Sequence, residues 1–159
     1  FHELYNLDTT VLRYFHVFGP RQESNEFGGV VSIFIRNMIN NENPIIFGDG
    51  TQERSFTFVK DVVSANILAS VDKRSSGQIY NCASGISVTI QELCDKTIEF
   101  FNKEGVLSPT YGDWLVGDIK FFDVDNKKLI GLGMEFDTNF FELLRYTIEE
   151  MKEYLNPQD

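Results

Sequence analysis

Metal-binding or nucleophilic chemistry would announce itself through histidines, cysteines and glycine-rich turns, and their spacing here signals neither. His2 and His16 are the only histidines, and Cys82 and Cys94 the only cysteines, with no CxxC pair. Neither a zinc site nor a disulfide framework is indicated, and two buried, reduced thiols are the simpler reading. The GxGxxG turn, the Walker loop, the GxSxG elbow and the HExxH helix are all absent from the 159 residues, so self-contained cofactor or hydrolytic chemistry lacks its usual anchors. Charge is unevenly spread: residues 1–80 carry 7 basic and 9 acidic side chains, and residues 81–159 carry 7 and 15. An anionic ligand is therefore directed to the first half.

The elements that must hold such a ligand alternate between strand and helix. Phe1 to Leu7 reads as the end of a helix, and the β-rich run Val11 to Phe18 as a buried strand stopped by Gly19-Pro20. After a polar loop, Val30, Ile33, Phe34, Asn37 and Met38 recur at helical spacing, predicting a helix over about 29–41. Ile45 to Phe47 and Arg54 to Val59 read as strands separated by the Gly48-Asp49-Gly50 turn. A helix then starts at Lys60-Asp61 with Val62, Val63, Ile67 and Val71 as its apolar face, followed by a strand from Gln78 to Ala83. Thr89 and Glu92 stand in capping-box relation, which predicts a helix to about Lys103 closed by Gly105. Asp118 to Val124 reads as extended, Asp125 as the cap of a short helix ending at Gly131, and Thr138 as the cap of a last helix with Phe141, Leu144, Ile148, Met151 and Leu155 as its stripe.

Hydrophobic residues make up 42% of the chain and aromatics 14%, too much for intrinsic disorder. No run approaches the roughly 20 apolar residues of a membrane span, and the first residues do not resemble a signal peptide, so a cytoplasmic-type protein is expected. A net charge of −10 disfavours nucleic acid and anionic lipid as partners.

Three segments in order are more informative than any single residue. Leu12 to Gln22 (LRYFHVFGPRQ), Pro44 to Val63 (PIIFGDGTQERSFTFVKDVV) and Ile79 to Thr89, with its Tyr80-Asn81-Cys82-Ala83-Ser84-Gly85 core, resemble consecutive motifs of the NAD-dependent sugar epimerase/dehydratase family, the extended short-chain dehydrogenases. Gly117-Asp118-Ile119-Lys120 and the terminal helix extend the similarity across the chain. The resemblance implies an α/β fold: the last Rossmann elements plus the small substrate-binding part of such an enzyme. The glycine-rich dinucleotide loop, the catalytic Ser/Thr and the YxxxK pair are expected upstream of Phe1, making residues 1–159 the C-terminal nucleotide-sugar-binding portion and leaving no catalytic residue in this chain.

By the same resemblance Arg54 faces the nucleotide diphosphate, where a guanidinium fork suits phosphate oxygens better than a lysine. Gly29, Val30, Ile45 and Phe47 line the base, Asp118 stands near the ribose or sugar hydroxyls, and Tyr14 and Phe15 lie beside the NAD cofactor. Three positions depart from the family pattern: His16 replaces an asparagine and brings a titratable ligand group, Ser55 replaces an aspartate, and Leu115 replaces a second diphosphate arginine, leaving Arg54, Arg21 or Lys120 to compensate. The implied activity is that of an NAD-dependent enzyme of carbohydrate metabolism, a UDP-hexose 4-epimerase working through a 4-keto intermediate. A nucleotide-sugar 4,6-dehydratase and a non-catalytic binding member of the superfamily are the alternatives, and the charge disfavours an RNA-binding relative. A homodimer, or self-association of this portion alone, is expected.

Overall fold

A computed structural model describes residues 1–25, 28–121 and 123–155. In chain order the elements are α1 (His2–Tyr5), β1 (Val11–Tyr14), β2 (Val17–Phe18), α2 (Val30–Ile39), β3 (Ile45–Phe47), β4 (Glu53–Ser55), β5 (Thr57–Phe58), α3 (Val59–Val71), β6 (Ile79–Cys82), β7 (Ser87–Thr89), α4 (Ile90–Phe100), β8 (Thr110–Gly112), α5 (Lys127–Leu132) and α6 (Phe140–Leu155), with a 3-10 turn at Lys73–Ser75.

Pairing among the described strands is mostly parallel. β1 runs parallel to β6 with Val11 opposite Ile79, β2 to β5 with Val17 opposite Thr57, and β3 to β8 with Ile45 opposite Thr110, while β4 pairs antiparallel with β7, Arg54 lying opposite Val88. Parallel neighbours require long crossovers, and helices supply them. The run read as one buried strand from Val11 to Phe18 is broken at Phe15-His16, where His16 takes φ 37, and Val11 and Tyr14 of β1 are half exposed rather than buried. A left-handed non-glycine residue ends a pleat, and histidine is among the types that tolerate it. The run from Arg54 likewise divides between β4 and β5.

Two apolar clusters hold the fold. In the larger, Phe18, Phe56, Phe58 and Phe140 converge, with Phe56 stacked on Phe140 at 5.0 Å and Phe18 at 5.1 Å from Phe140, against Met38 of α2, Leu93 and Ile98 of α4, and Leu144, Ile148 and Met151 of α6. The smaller gathers Val62, Ala65, Tyr80, Cys82, Leu129, Leu132 and Met134. Cys82 and Cys94 are free and buried, and burial pushes their thiols up to about 11 and about 12. Neither is a thiolate near neutrality. No helix among the described residues is long and apolar enough to cross a membrane.

The Thr89 capping box forms as read: its hydroxyl accepts from the Glu92 amide and Glu92 returns to the Thr89 amide at 3.0 Å. Elsewhere the boundaries differ. α4 stops at Phe100 because Asn102, at φ 53, takes the left-handed position before Gly105 is reached. α5 follows Asn126 and ends on left-handed Gly133 rather than Gly131, while the Asp125 carboxylate still accepts the Lys127 amide at 2.9 Å. At the start of α6 it is the Asp137 carboxylate, not the Thr138 hydroxyl, that accepts the Asn139 amide. Phe141 is half-buried and Leu144, Ile148 and Met151 are buried, whereas the Leu155 side chain and Phe122 lie outside the described residues.

Two expectations need correction. Asp118 to Val124 forms no strand among its described residues; the extended segment is β8, eight residues earlier than Asp118 at its first residue, Thr110, and too short to show alternation. The apolar face of α3 is also turned: Val62, Ala65 and Ala69 are buried, but Val63, Ile67 and Val71 are 53%, 60% and 72% exposed. A helix with apolar residues on both sides buries the face that meets the sheet, and the small side chains at 65 and 69 allow that approach.

Candidate functional site

β4 is covered on both sides, so its arginine must find acceptors inside the protein. Arg54 is only 9% exposed. Its guanidinium donates to the backbone oxygens of Glu53 (2.7 Å) and Ile119 (2.6 Å) and to Asp118 Oδ1 (2.5 Å). The Asp118 side chain is 21% exposed, and its backbone amide donates to Leu115 O at 3.1 Å. The expected diphosphate ligand and the expected ribose ligand are thus paired with each other.

His16 joins them. The kink after β1 sets the imidazole 6.0 Å from the Phe56 ring, edge-on, while Thr57 N donates to His16 O at 3.3 Å and fixes the backbone. Burial holds the His16 imidazole below its ordinary range, and the nearby Arg54 charge acts in the same direction; a hydrogen bond to the Ser55 backbone and the Asp118 charge oppose both. Three residues separated by 38 and 64 positions in sequence therefore form one electrostatic cluster.

The segment after β8 binds this cluster to β3. Gly48, at φ 87, lies beneath Trp114, whose ring comes within 2.7 Å of where a Cβ would stand. Lys120 Nζ lies 5.4 Å from the Trp114 ring centroid and 3.4 Å from Asp49 Oδ2, and Lys120 O accepts from Glu53 N at 2.8 Å. In β3, Ile46 is fully buried, while Ile45 and Phe47 are 52% and 44% exposed on the opposite side, with Phe47 over Gly112. An accessible aromatic and aliphatic wall suits a flat heterocycle, and a guanidinium suits a phosphate.

Gly29 caps α2 and Val30 begins it. The Gln22 amide packs on Gly29, 2.6 Å from the position of a Cβ, and donates to Val17 O at 2.8 Å. This ties the helix start to the strand next to His16. Tyr14 and Phe15 stand apart, at the carboxyl end of β1. Tyr14 is half exposed and its hydroxyl donates to Asn66 Oδ1 at 2.9 Å; Phe15 is half-buried. Tyr14 borders a cleft of about 820 Å³ lined also by Asp8, Thr10, Leu12, Asn66 and Asp72, away from Arg54. Trp114 and Gln52, whose amide donates to Phe47 O at 2.6 Å, are structural members of the site that sequence reasoning did not single out. Trp114 carried one signal, as the sole tryptophan of the chain.

The sequence pattern of the NAD dependent epimerase/dehydratase family matches residues 1–83. Among curated proteins, the chain is 34% identical over 154 residues to a putative UDP-glucose 4-epimerase of Methanocaldococcus jannaschii, covering 96% of this chain and 48% of that protein. Among solved structures, it is 36% identical to a UDP-N-acetylglucosamine 4-epimerase from Methanobrevibacter ruminantium in complex with UDP-N-acetylmuramic acid, with a TM-score of 0.90 over 97% of this chain and 49% of that one. It is 33% identical to the UDP-glucose 4-epimerase of Thermotoga maritima with UDP-glucose, again at a TM-score of 0.90, over 98% and 49%. The chain thus spans about half the length of the relatives it matches. With the fold and the sequence pattern in agreement, this chain belongs to the NAD dependent epimerase/dehydratase family.

Proposed function

We propose that residues 1–159 are the nucleotide-sugar-binding portion of an NAD-dependent enzyme that interconverts UDP-hexoses at C4. The observation that supports this reading is the buried Arg54–Asp118 pair, with His16 under the charge of both, together with the exposed Ile45 and Phe47 of β3. Arg54 would hold the diphosphate, exchanging the Asp118 carboxylate for phosphate oxygens, and the released Asp118 would accept from ribose or sugar hydroxyls. Phe47 and Ile45 would back the base, with Gly29 and Val30 closing its far side. The two solved relatives hold different UDP-linked sugars, which favours recognition of the nucleotide end by a common set of contacts and leaves the sugar to other residues.

Of a dinucleotide site this chain has the rim. Tyr14 ends β1 and Phe15 follows it, at the carboxyl side of the parallel β1–β6 pair, the side on which open α/β sheets bind ligands, but the phosphates would be held elsewhere in the protein. NAD, when bound there, supplies the hydride acceptor for a sugar carbon; what this chain contributes is the grip on the nucleotide that orients the sugar. We place the protein in the cytoplasm, as a homodimer, in carbohydrate metabolism.

The test uses the full-length gene product. Incubated with UDP-glucose and NAD, it is expected to yield UDP-galactose by NMR; a 4-keto-6-deoxy product would instead mark a 4,6-dehydratase, and binding without turnover a non-catalytic member. Arg54→Ala should weaken UDP-glucose binding by about 1.5–3 kcal/mol, the worth of a charge-assisted hydrogen bond. Unchanged affinity by calorimetric titration would remove Arg54 from the site.

A further inference from the structure

Arg54 and Asp118 neutralise one another, so the cluster as it stands offers a dianionic ligand no net positive charge. His16 is placed to change that, an inference that rests on the nucleotide-sugar reading above. Its backbone is left-handed at φ 37, in a region few residues other than glycine, asparagine, aspartate or histidine enter, and the turn brings the ring against Phe56 instead of continuing the alternation of β1. Among the described residues, Arg54, from β4, and Asp118, from the segment after β8, are charged groups that act on the imidazole, and the Ser55 backbone hydrogen-bonds it. Burial and the Arg54 charge together disfavour its imidazolium in the free protein.

The diphosphate of a nucleotide sugar is a diester. It carries two negative charges that do not titrate near neutrality, so any proton exchanged on binding near pH 7 comes to or from the protein. Phosphate oxygens on Arg54 would screen the guanidinium from His16 and place new negative charge beside it, and both changes favour the imidazolium. We propose that His16 takes up a proton when the diphosphate of a nucleotide sugar docks on Arg54, so that the site gains its second cation only in the presence of its ligand. The proton comes from solvent and is bound at an imidazole nitrogen; no covalent bond of the ligand changes.

Uptake on binding means that acid favours the complex. Affinity rises as pH falls from the higher, liganded pKa of His16 to the lower, free one, by at most about tenfold per pH unit, and is flat outside that window. Calorimetric titration of the full-length gene product with UDP-glucose at pH 7, in PIPES, HEPES and Tris, reads the proton directly, because the apparent heat varies with the ionisation enthalpy of the buffer. Wild type is expected to take up a measurable fraction of a proton, and His16→Asn and His16→Gln to bind with buffer-independent heat and no pH slope. Buffer-independent heat in a wild-type protein that binds UDP-glucose overturns the proton uptake and leaves the nucleotide-sugar reading standing, as does uptake that persists in both variants. Absence of UDP-glucose binding by wild type overturns both. Should the variants fail to fold, the His16 Cε1 resonance of wild type, titrated with and without UDP-glucose, decides: a higher midpoint with ligand supports uptake, and an unmoved one refutes it.

Discussion

Asp118 can be separated experimentally from any ligand it contacts, because in this structure its partner is Arg54. The carboxylate accepts from the guanidinium of Arg54, a residue 9% exposed that also donates to the backbone oxygens of Glu53 and Ile119. Replacing it with asparagine keeps the shape, removes the charge and leaves a buried cation under-compensated, a change that costs about 1–3 kcal/mol. Chemical denaturation of Asp118→Asn should show that loss without any nucleotide present, whereas a carboxylate that served only the ribose would leave the denaturation midpoint of the free protein unmoved. The identity of this pair was legible in sequence only as two separate ligands, one in the ERS segment and one in the GDI segment. Nothing in the spacing of residues 54 and 118 says that they touch. The contact depends on the strap from Trp114 to Lys120 folding back on β4, held by Gly48, Asp49 and Glu53.

At the scale of elements, the readable parts were those in which a local rule decides the outcome. The capping box fixed the start of α4 because both of its partners lie within four residues, and the stripe of α6 is buried because its apolar residues share one side. α3 misled because its sequence is apolar on two sides and only a tertiary neighbour can choose between them. The chosen side is Val62, Ala65 and Ala69, so Val63, Ile67 and Val71 face outward, and Tyr14, Leu4 and Tyr5 are exposed as well. β1 adds to this surface: among the described strands it pairs with β6 alone, and an edge with exposed Val11 invites pairing with another chain. Residues 1–159 by themselves should therefore self-associate, and Ile67→Glu combined with Val63→Glu should lower the mass seen by light scattering while leaving the circular dichroism of the chain unchanged, since neither side chain is in its core. In the full-length protein the same pair of substitutions should impair folding if the remaining half covers α3. A monomeric wild-type chain, or a double variant that associates as strongly, would mean that the outward stripe is not the adhesive surface.

On the scale of the whole molecule, the helix starts within residues 1–159 set what these residues can bind alone. A dinucleotide needs a glycine-rich turn that lets backbone amides approach its pyrophosphate at a helix N-terminus. The helix starts here answer to other demands: α4 is closed by the Thr89 and Glu92 side chains, α3 follows Phe58, itself in the aromatic core, and at α2 the Gly29 carbonyl accepts from Ser32 Oγ and the Ile33 amide while Gln22 packs on the glycine. Residues 1–159 are accordingly expected to show no saturable NAD binding by calorimetry, whereas the full-length gene product should bind it. Arg54 and its neighbours lie within residues 1–159, so on the proposed function a weak interaction with UDP-glucose is expected there, and the two titrations together separate nucleotide-sugar recognition from cofactor recognition. Saturable NAD binding by residues 1–159 would contradict this division and move the cofactor to the cleft beside Tyr14, where Tyr14→Phe, which removes the bond to Asn66, would be the first variant to weaken it.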